Sequence, residues 1–193
     1  MRPVSGPGPD RMMVFQEFEQ LMPWKTVLGN VMFPMRIARS FKAREVRERA
    51  MAALEKVHLA PFAGAYPHML SGGMKMRAAI ARALVMEPEM LLMDEPFAAL
   101  DALTRRRMQE ELLELWRLLR FTMLFVTHSI EEAVTLGSRI LLLSAHPGQV
   151  RAELNAGHLD GCEPSDPAFG SLARRIQDLL FAAPAASPQP ADA

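Results

Sequence analysis

Leu91-Leu92-Met93-Asp94-Glu95-Pro96 is the stretch that decides how this chain reads. With Met90 it opens on four apolar residues in succession, too short for an amphipathic helix and without the alternation of a half-exposed strand. That pattern predicts a strand buried on both faces, the kind found in parallel sheets. Asp94 and Glu95 follow at its carboxyl end, which is where parallel α/β sheets bind ligands. One carboxylate there can hold a hydrated magnesium ion, and the next can polarise an attacking water. An apolar run ending in Asp-Glu also fits a strand that enters a solvated turn, so the stretch alone leaves both readings open.

Downstream, Thr104 to Leu119 carries Met108, Leu112, Leu115 and Leu119 on one helical stripe. Thr122 to Val126 (TMLFV) reads as a second buried strand, and it delivers Thr127 and His128 to the same crevice as the two acids. A short helix over Ile130–Leu136 and a strand over Ile140–Leu143 continue the alternation, which predicts βαβ units and a parallel sheet. Leu172 to Phe181 has Leu172, Ile176 and Leu179 or Leu180 on one helical face. Upstream, Lys42 to Leu59 is an amphipathic helix with Val46, Ala50, Leu54 and Val57 on its apolar side. A further helix is expected over Met74–Met86, opened by Leu70-Ser71-Gly72-Gly73. A serine and two glycines at a helix start expose several backbone amides at the positive end of the helix dipole and let them approach an anion. The plain alternative is a serine N-cap. Met12 to Phe18 reads as a short strand ending at Gln16, and Leu21 to Phe41 is mixed, interrupted by Pro23 and Pro34.

Composition narrows the function classes. Lys plus Arg and Asp plus Glu are 22 each, a formal net charge of +0, against the basic excess of a nucleic-acid binder. The single cysteine, Cys162, excludes an intrachain disulfide and fits a reducing compartment. No apolar run reaches the ~18 residues needed to cross a bilayer, and the opening MRPVSGPGPDR lacks the apolar segment of a signal peptide. A soluble, cytoplasmic protein is expected, with any membrane role reached through a partner. His58, His68, His146 and His158 are scattered without ligand spacing, and the fifteen methionines are expected to fill apolar faces.

In order along the chain, VFQEF, LSGGM, LLMDEP, Ala99-Leu100-Asp101 and Val126-Thr127-His128 resemble the Q-loop, signature, Walker B, D-loop and switch-histidine motifs of the ATP-binding-cassette (ABC) ATPases. The resemblance covers about Val4 to Val150. Within the family, PGPDR, PW-x-TVL-x-NV, SGGM and PFAALDALTR look most like the nitrate, sulfonate and taurine importer branch. It implies a P-loop NTPase-like (RecA-type) α/β core with an inserted α-helical lobe. The segments would be 1–18 for the loop and Q-loop strand, 19–86 for the signature lobe and 87–150 for the rest of the core, followed by an extension over 151–183 and a low-complexity, disordered tail over 184–193.

The resemblance also implies roles. Glu95 would be the general base and His128 a γ-phosphate contact; Asp94 would hold Mg2+ through water, with Gln16 sensing that ion and the γ-phosphate. Ser71, Gly72 and Gly73 would close over ATP held by an opposite subunit, and Asp101 would lie across the dimer seam. ATP and Mg2+ are the implied ligands. The implied partners are a second ATPase subunit, transmembrane permease subunits and, indirectly, a periplasmic or lipoprotein substrate-binding protein, with no nucleic acid; the location is the inner face of the cell membrane.

The chain departs from the family at one decisive point. No GxxxxGK[ST] phosphate cradle (Walker A) occurs anywhere in its 193 residues; Ser5-Gly6-Pro7-Gly8 has the glycines but no following Lys-Ser/Thr, and its prolines remove amide donors. An N-terminally truncated cassette is therefore expected, inactive by itself, with unpaired sheet edges and uncovered apolar faces. The alternative is a non-catalytic partner lending Ser71–Gly73 to a full-length subunit. Ser129, where the family has Asp, is a lesser departure.

Overall fold

The computed structural model describes residues 6, 8–16, 20–38, 41–146, 148–157 and 165–181. It forms two compact units, Met1–His128 and Ser129–Ala193. The 184–193 tail, Cys162 and His158 lie outside the described residues.

In the first unit, three parallel strands lie in the order β1 (Arg11–Val14), β2 (Met90–Asp94), β3 (Thr122–Val126). The register is even: Val14 stands opposite Met93, and Met93 opposite Phe125. All three carboxyl ends therefore share one edge, which Gln16, Asp94–Glu95 and Thr127–His128 occupy or follow. Leu91 and Met93 are buried in the middle of β2, as their unbroken apolarity requires. The β1 ladder stops at Val14, two residues short of Gln16. The reason is local: the side-chain amide of Gln20 takes both backbone groups of Phe15, accepting from its N–H (3.3 Å) and donating to its C=O (2.8 Å).

Between β1 and β2 stands a helical lobe of α1 (Val27–Ala38), α2 (Ala43–Lys56) and α3 (Gly72–Leu84), with 3-10 turns at 60–62 and 67–69. α2 buries Val46, Ala50 and Leu54, the face its periodicity predicts. α1 runs straight through the region that looked interrupted, with Pro34 inside it. What anchors it is Asn30, fully buried with both its amide oxygen and its amide nitrogen hydrogen-bonded. Its Oδ1 accepts from Met22 N–H, and its Nδ2 donates to the carbonyls of Met22, Lys25 and Thr26. One side chain thus satisfies the orphan groups of the turn leading into α1.

α4 (Ala102–Leu119) links β2 to β3 and buries Met108, Leu112 and Leu115. Its stripe ends before Leu119, which is partly exposed, because Arg120 takes the left-handed conformation (φ 54°) that terminates the helix. On β3, Leu124 and Val126 are more than half exposed. Apolar side chains uncovered on a strand at the end of a sheet are an aggregation template. Leu124→Lys is expected to raise the soluble yield of the chain while changing unfolding free energy by less than about 0.5 kcal/mol, measured by turbidity and urea titration.

The second unit is a small layer of its own. β4 (Arg139–Leu143) pairs antiparallel with β5 (Val150–Asn155), and α5 (Ile130–Leu136) and α6 (Pro167–Phe181) complete it. Val134, Ile140, Leu142, Leu154, Phe169, Leu172 and Ile176 form its core. The strand expected to continue the parallel sheet, Ile140–Leu143, pairs with β5 instead, a strand whose polar alternation (VRAELN) carried no motif. α6 starts earlier than the Leu172 face indicated, at Pro167, where Asp166 Oδ1 accepts from Ala168 N–H at 2.7 Å.

Candidate functional site

Glu95 is the most constrained of the site residues. It adopts φ 43°, a left-handed conformation that non-glycine residues take rarely and often at functional sites. Its own N–H donates to Val126 O across to β3 (2.9 Å), and its C=O accepts from Ala98 N–H (3.2 Å). Both bonds follow from position: β2 and β3 pair in register through Asp94 and Val126, and the chain must turn sharply to start α4. The turn is pinned from below by Phe97, fully buried against Phe125, and from the side by Arg105, which donates to the carbonyls of Phe97 (3.3 Å) and Leu100 (3.0 Å).

The consequence is a pair. Glu95 Oε1 lies 3.1 Å from Nδ1 of His128, the residue two past the end of β3. The carboxylate is largely shielded, whereas His128 is 73% exposed and its Nε2 has no partner among the described residues. Asp94 at the tip of β2 and Gln16 beyond β1 are both exposed at the same edge. Two cavities of about 290 Å3 lie among the lobe helices and α4, and neither is lined by Gln16, Asp94, Glu95 or His128. With Gln16, Asp94 and His128 all exposed, the site is an open edge.

An aspartate carboxylate and a glutamine amide oxygen are hard donors of the kind a magnesium ion accepts. Among the described residues there is no cluster of three His, Cys, Asp or Glu side chains. Asp94 and Gln16 therefore fit an ion that retains water or phosphate ligands, and do not fit a protein-only cage.

Ser71 is the N-cap of α3, its Oγ accepting from Met74 N–H at 3.3 Å, so the plain capping role is present in the geometry. Ser71 is exposed, while Gly73 packs so closely on α4 that an added Cβ would stand 3.0 Å from Thr104 Cγ2. Thr104 N–H is in turn capped by Asp101 Oδ1 (3.0 Å). The fold thereby sets the Ser71–Gly73 turn beside Asp101. No hydrogen bond or ion pair among the described residues joins that turn to Asp94, Glu95 or His128.

Sequence comparison agrees with this layout. A family model described as ABC transporter matches residues 7–98. A taurine import ATP-binding protein, TauB of Rhizobium johnstonii, is 49% identical over 187 residues, covering 93% of this chain and 71% of that protein. The chain belongs to the ABC transporter family. Among solved structures, this ABC chain superposes on cbiO1 of Clostridium perfringens, part of the ABC transporter complex cbiONQ, with a TM-score of 0.70 at 25% identity, covering 90% of this chain and 64% of that one. The ATP-binding cassette MJ0796, solved as a dimer in a post-hydrolysis state with ADP and Pi, matches with a TM-score of 0.63 at 36% identity, over 76% and 62% of the two chains. The P-loop NTPase-like α/β fold is that of an ABC cassette. The chain spans between 62% and 71% of the length of these three proteins. Among the described residues no helix is long and apolar enough to cross a membrane.

Several residues that support the candidate site carried little or no sequence signal. Arg105 and Thr104 sit in an ordinary amphipathic helix, and Gln20 is one of four polar residues in the stretch QEFEQ, with nothing to single it out. Ser129, the departure from the family's Asp, caps α5 through Oγ to Glu132 N–H (3.3 Å). Hydrogen bonds from Thr104 hold the Asp101 carboxyl below its usual value. A depressed pKa means that the stabilisation is present above the ordinary aspartate range and is lost as pH falls through the folded value. Asparagine caps as well and does not titrate. Asp101→Asn is accordingly expected to flatten the acid side of the stability–pH curve, read by denaturant titrations between pH 7 and 3.

Proposed function

We propose that this chain is the ATP-hydrolysing cassette of an importer for a small anion of the taurine, sulfonate or nitrate kind. The observation that carries the proposal is the strained Glu95 turn holding its carboxylate against His128 at the carboxyl edge of a parallel sheet. The similarity to a taurine import ATP-binding protein supports the substrate class.

In this reading Glu95 accepts a proton from water as the water oxygen attacks the γ-phosphorus of ATP. The bond from that phosphorus to the β–γ bridging oxygen breaks, leaving ADP and inorganic phosphate. Fixing the Glu95 backbone by Val126 and Ala98 removes the reorganisation that a mobile base requires. His128 orients the carboxylate through Nδ1 and offers Nε2 to the γ-phosphate. Asp94 and Gln16 would hold Mg2+, which supplies charge neutralisation at the β- and γ-phosphates when bound. Ser71, Gly72 and Gly73 present amides to ATP on an opposite cassette, and Asp101 approaches the same seam; Ser71 and Asp101 are both exposed and Thr104 touches Gly73 and is capped by Asp101, which supports a trans role. Exposed Trp24, Ile37 and Met69 on the helical lobe suit contact with transmembrane permease subunits, a substrate-binding protein being reached only through them. Such an assembly places the cassette in the cytoplasm, against the membrane.

The lack of a GxxxxGK[ST] sequence in the 193 residues favours a second reading. In it the chain is a non-catalytic partner that donates Ser71–Gly73 to the ATP site of a full-length cassette and is not itself an enzyme. Both readings expect no ATP hydrolysis from these 193 residues alone. The deciding experiment measures phosphate release from the chain alone, from the chain joined at its N-terminus to the cradle-bearing segment of a related cassette, and from the chain mixed with a full-length cassette carrying Glu→Gln at its own base. Hydrolysis by the joined chain that Glu95→Gln then removes supports the first reading. Retained ATP binding by the mixture without hydrolysis supports the second, and hydrolysis by the chain alone overturns the cradle argument.

A further inference from the structure

α3 touches functional elements at three levels. Its first turn is Ser71–Gly73, beside Thr104 of α4. One to two turns on, the Arg77 guanidinium meets Glu111 of α4 at 2.5 Å, with both side chains mostly buried. Near its far end, Arg82 donates from one terminal nitrogen to Gln20 O (2.5 Å) and from the other to Gln20 Oε1 (3.5 Å). Gln20 is the residue whose amide grips both backbone groups of Phe15, immediately before Gln16. The chain of contacts is continuous: Arg82 to Gln20, Gln20 to Phe15, Phe15 to Gln16.

We propose that Arg82 is a positioning residue for Gln16, carrying the placement of α3 to the exit of β1 through the Gln20 amide. This rests on the reading of Gln16 as the residue that meets nucleotide and metal. The chemistry is specific to arginine. A planar fork with several donors can hold a carbonyl and a side-chain amide oxygen of one residue together, which an ammonium holds less well. Burial lowers the pKa of Arg82, so its charge is kept there against a desolvation cost. Fixing Gln20 removes rotamer freedom that would otherwise let Phe15 and Gln16 slip from the edge where Asp94 stands. Through α3, the same latch ties the position of Gln16 to that of the Ser71–Gly73 turn, which lies about 14–16 Å along the helix from Arg82 at about 1.5 Å of rise per residue.

The test is amide hydrogen exchange, followed by NMR on the full chain without nucleotide, in whichever state it is purified. Phe15 N–H is expected to exchange about tenfold faster in Arg82→Ala and in Gln20→Ala. The double variant should exchange no faster than either single one, and Arg82→Lys should fall between wild type and Arg82→Ala. Leu91 and Met93 amides in β2 should keep their wild-type rates. Unchanged Phe15 exchange, or a uniform rise that includes β2, overturns the proposal. If Arg82→Ala does not fold, Arg82→Lys and Gln20→Ala carry the same comparison. Because no nucleotide is present, failure here is separate from failure of the catalytic reading, which phosphate release decides.

Discussion

Replacing Asn30 with alanine should destabilise the first unit by about 2–4 kcal/mol, as much as truncating a buried aliphatic side chain of the helical lobe. The estimate follows from the groups left behind. Asn30 is fully buried and makes four hydrogen bonds, to Met22 N–H and to the carbonyls of Met22, Lys25 and Thr26. Met22 O also accepts from Lys25 N–H and Thr26 O from Asn30 N–H, so removing the amide strands Met22 N–H and Lys25 O, each costing about 1–3 kcal/mol unless water reaches it. Asn30→Asp is expected to be almost as damaging. An aspartate keeps the acceptor for Met22 N–H but sets a carboxylate against three carbonyl oxygens, so it must be buried protonated or repelled. The measurement is urea unfolding followed by far-ultraviolet circular dichroism, with Leu28→Ala in the same helix as a reference. A loss below about 1 kcal/mol would show that the turn at 22–26 is held by something other than this one side chain.

The second large effect concerns Glu95. In an assembly that hydrolyses ATP, Glu95→Gln should lower turnover about a hundred- to ten-thousandfold, the range typical of removing a general base. Nucleotide affinity should stay near wild type, because glutamine preserves size and the amide–imidazole contact but does not accept a proton. Phosphate release under saturating Mg-ATP, beside equilibrium binding of a non-hydrolysable analogue, separates the two quantities. His128→Ala should also lower turnover. If His128 acts by orienting Glu95, adding it to Glu95→Gln should produce little further loss, since residues that act as a unit are not additive. A multiplicative loss in the double variant would mean that the 3.1 Å pair works as two independent groups.

Much of this was legible before any coordinates, and the reason differs from element to element. β2 could be read because burial leaves an unbroken apolar run, MLLM; β3 was read as a strand from TMLFV, but the expected burial is not found, since Thr122, Leu124 and Val126 are exposed on a strand with a neighbour on one side only among the described residues. α2 and α4 could be read because one face meets the core, so apolar residues recur at helical spacing. α1 was hidden by Pro34, a residue that usually breaks helices. β5 was hidden because its outward residues are polar and its single buried leucine, Leu154, gives no period to count. The antiparallel pairing of β4 was equally invisible. An apolar strand pattern does not say which neighbour takes the backbone hydrogen bonds, nor, in β4, that one face with Leu141 and Leu143 stays exposed.

What the sequence by itself determined is therefore the kind of element at each place and the chemical type at each tip: acids after β2, a histidine after β3, a serine and glycines before α3. Those depend on local burial and on side-chain chemistry, which are written residue by residue. Only the tertiary structure decided that Glu95 turns left-handed to meet His128, that Gly73 leaves room for Thr104, that Asn30 closes the turn before α1, and that Arg82 reaches Gln20 across 62 positions of chain. Each of these is a contact between segments distant in sequence or a backbone conformation forced by such contacts. Their cost and reward appear only when the chain closes on itself, so no local pattern records them.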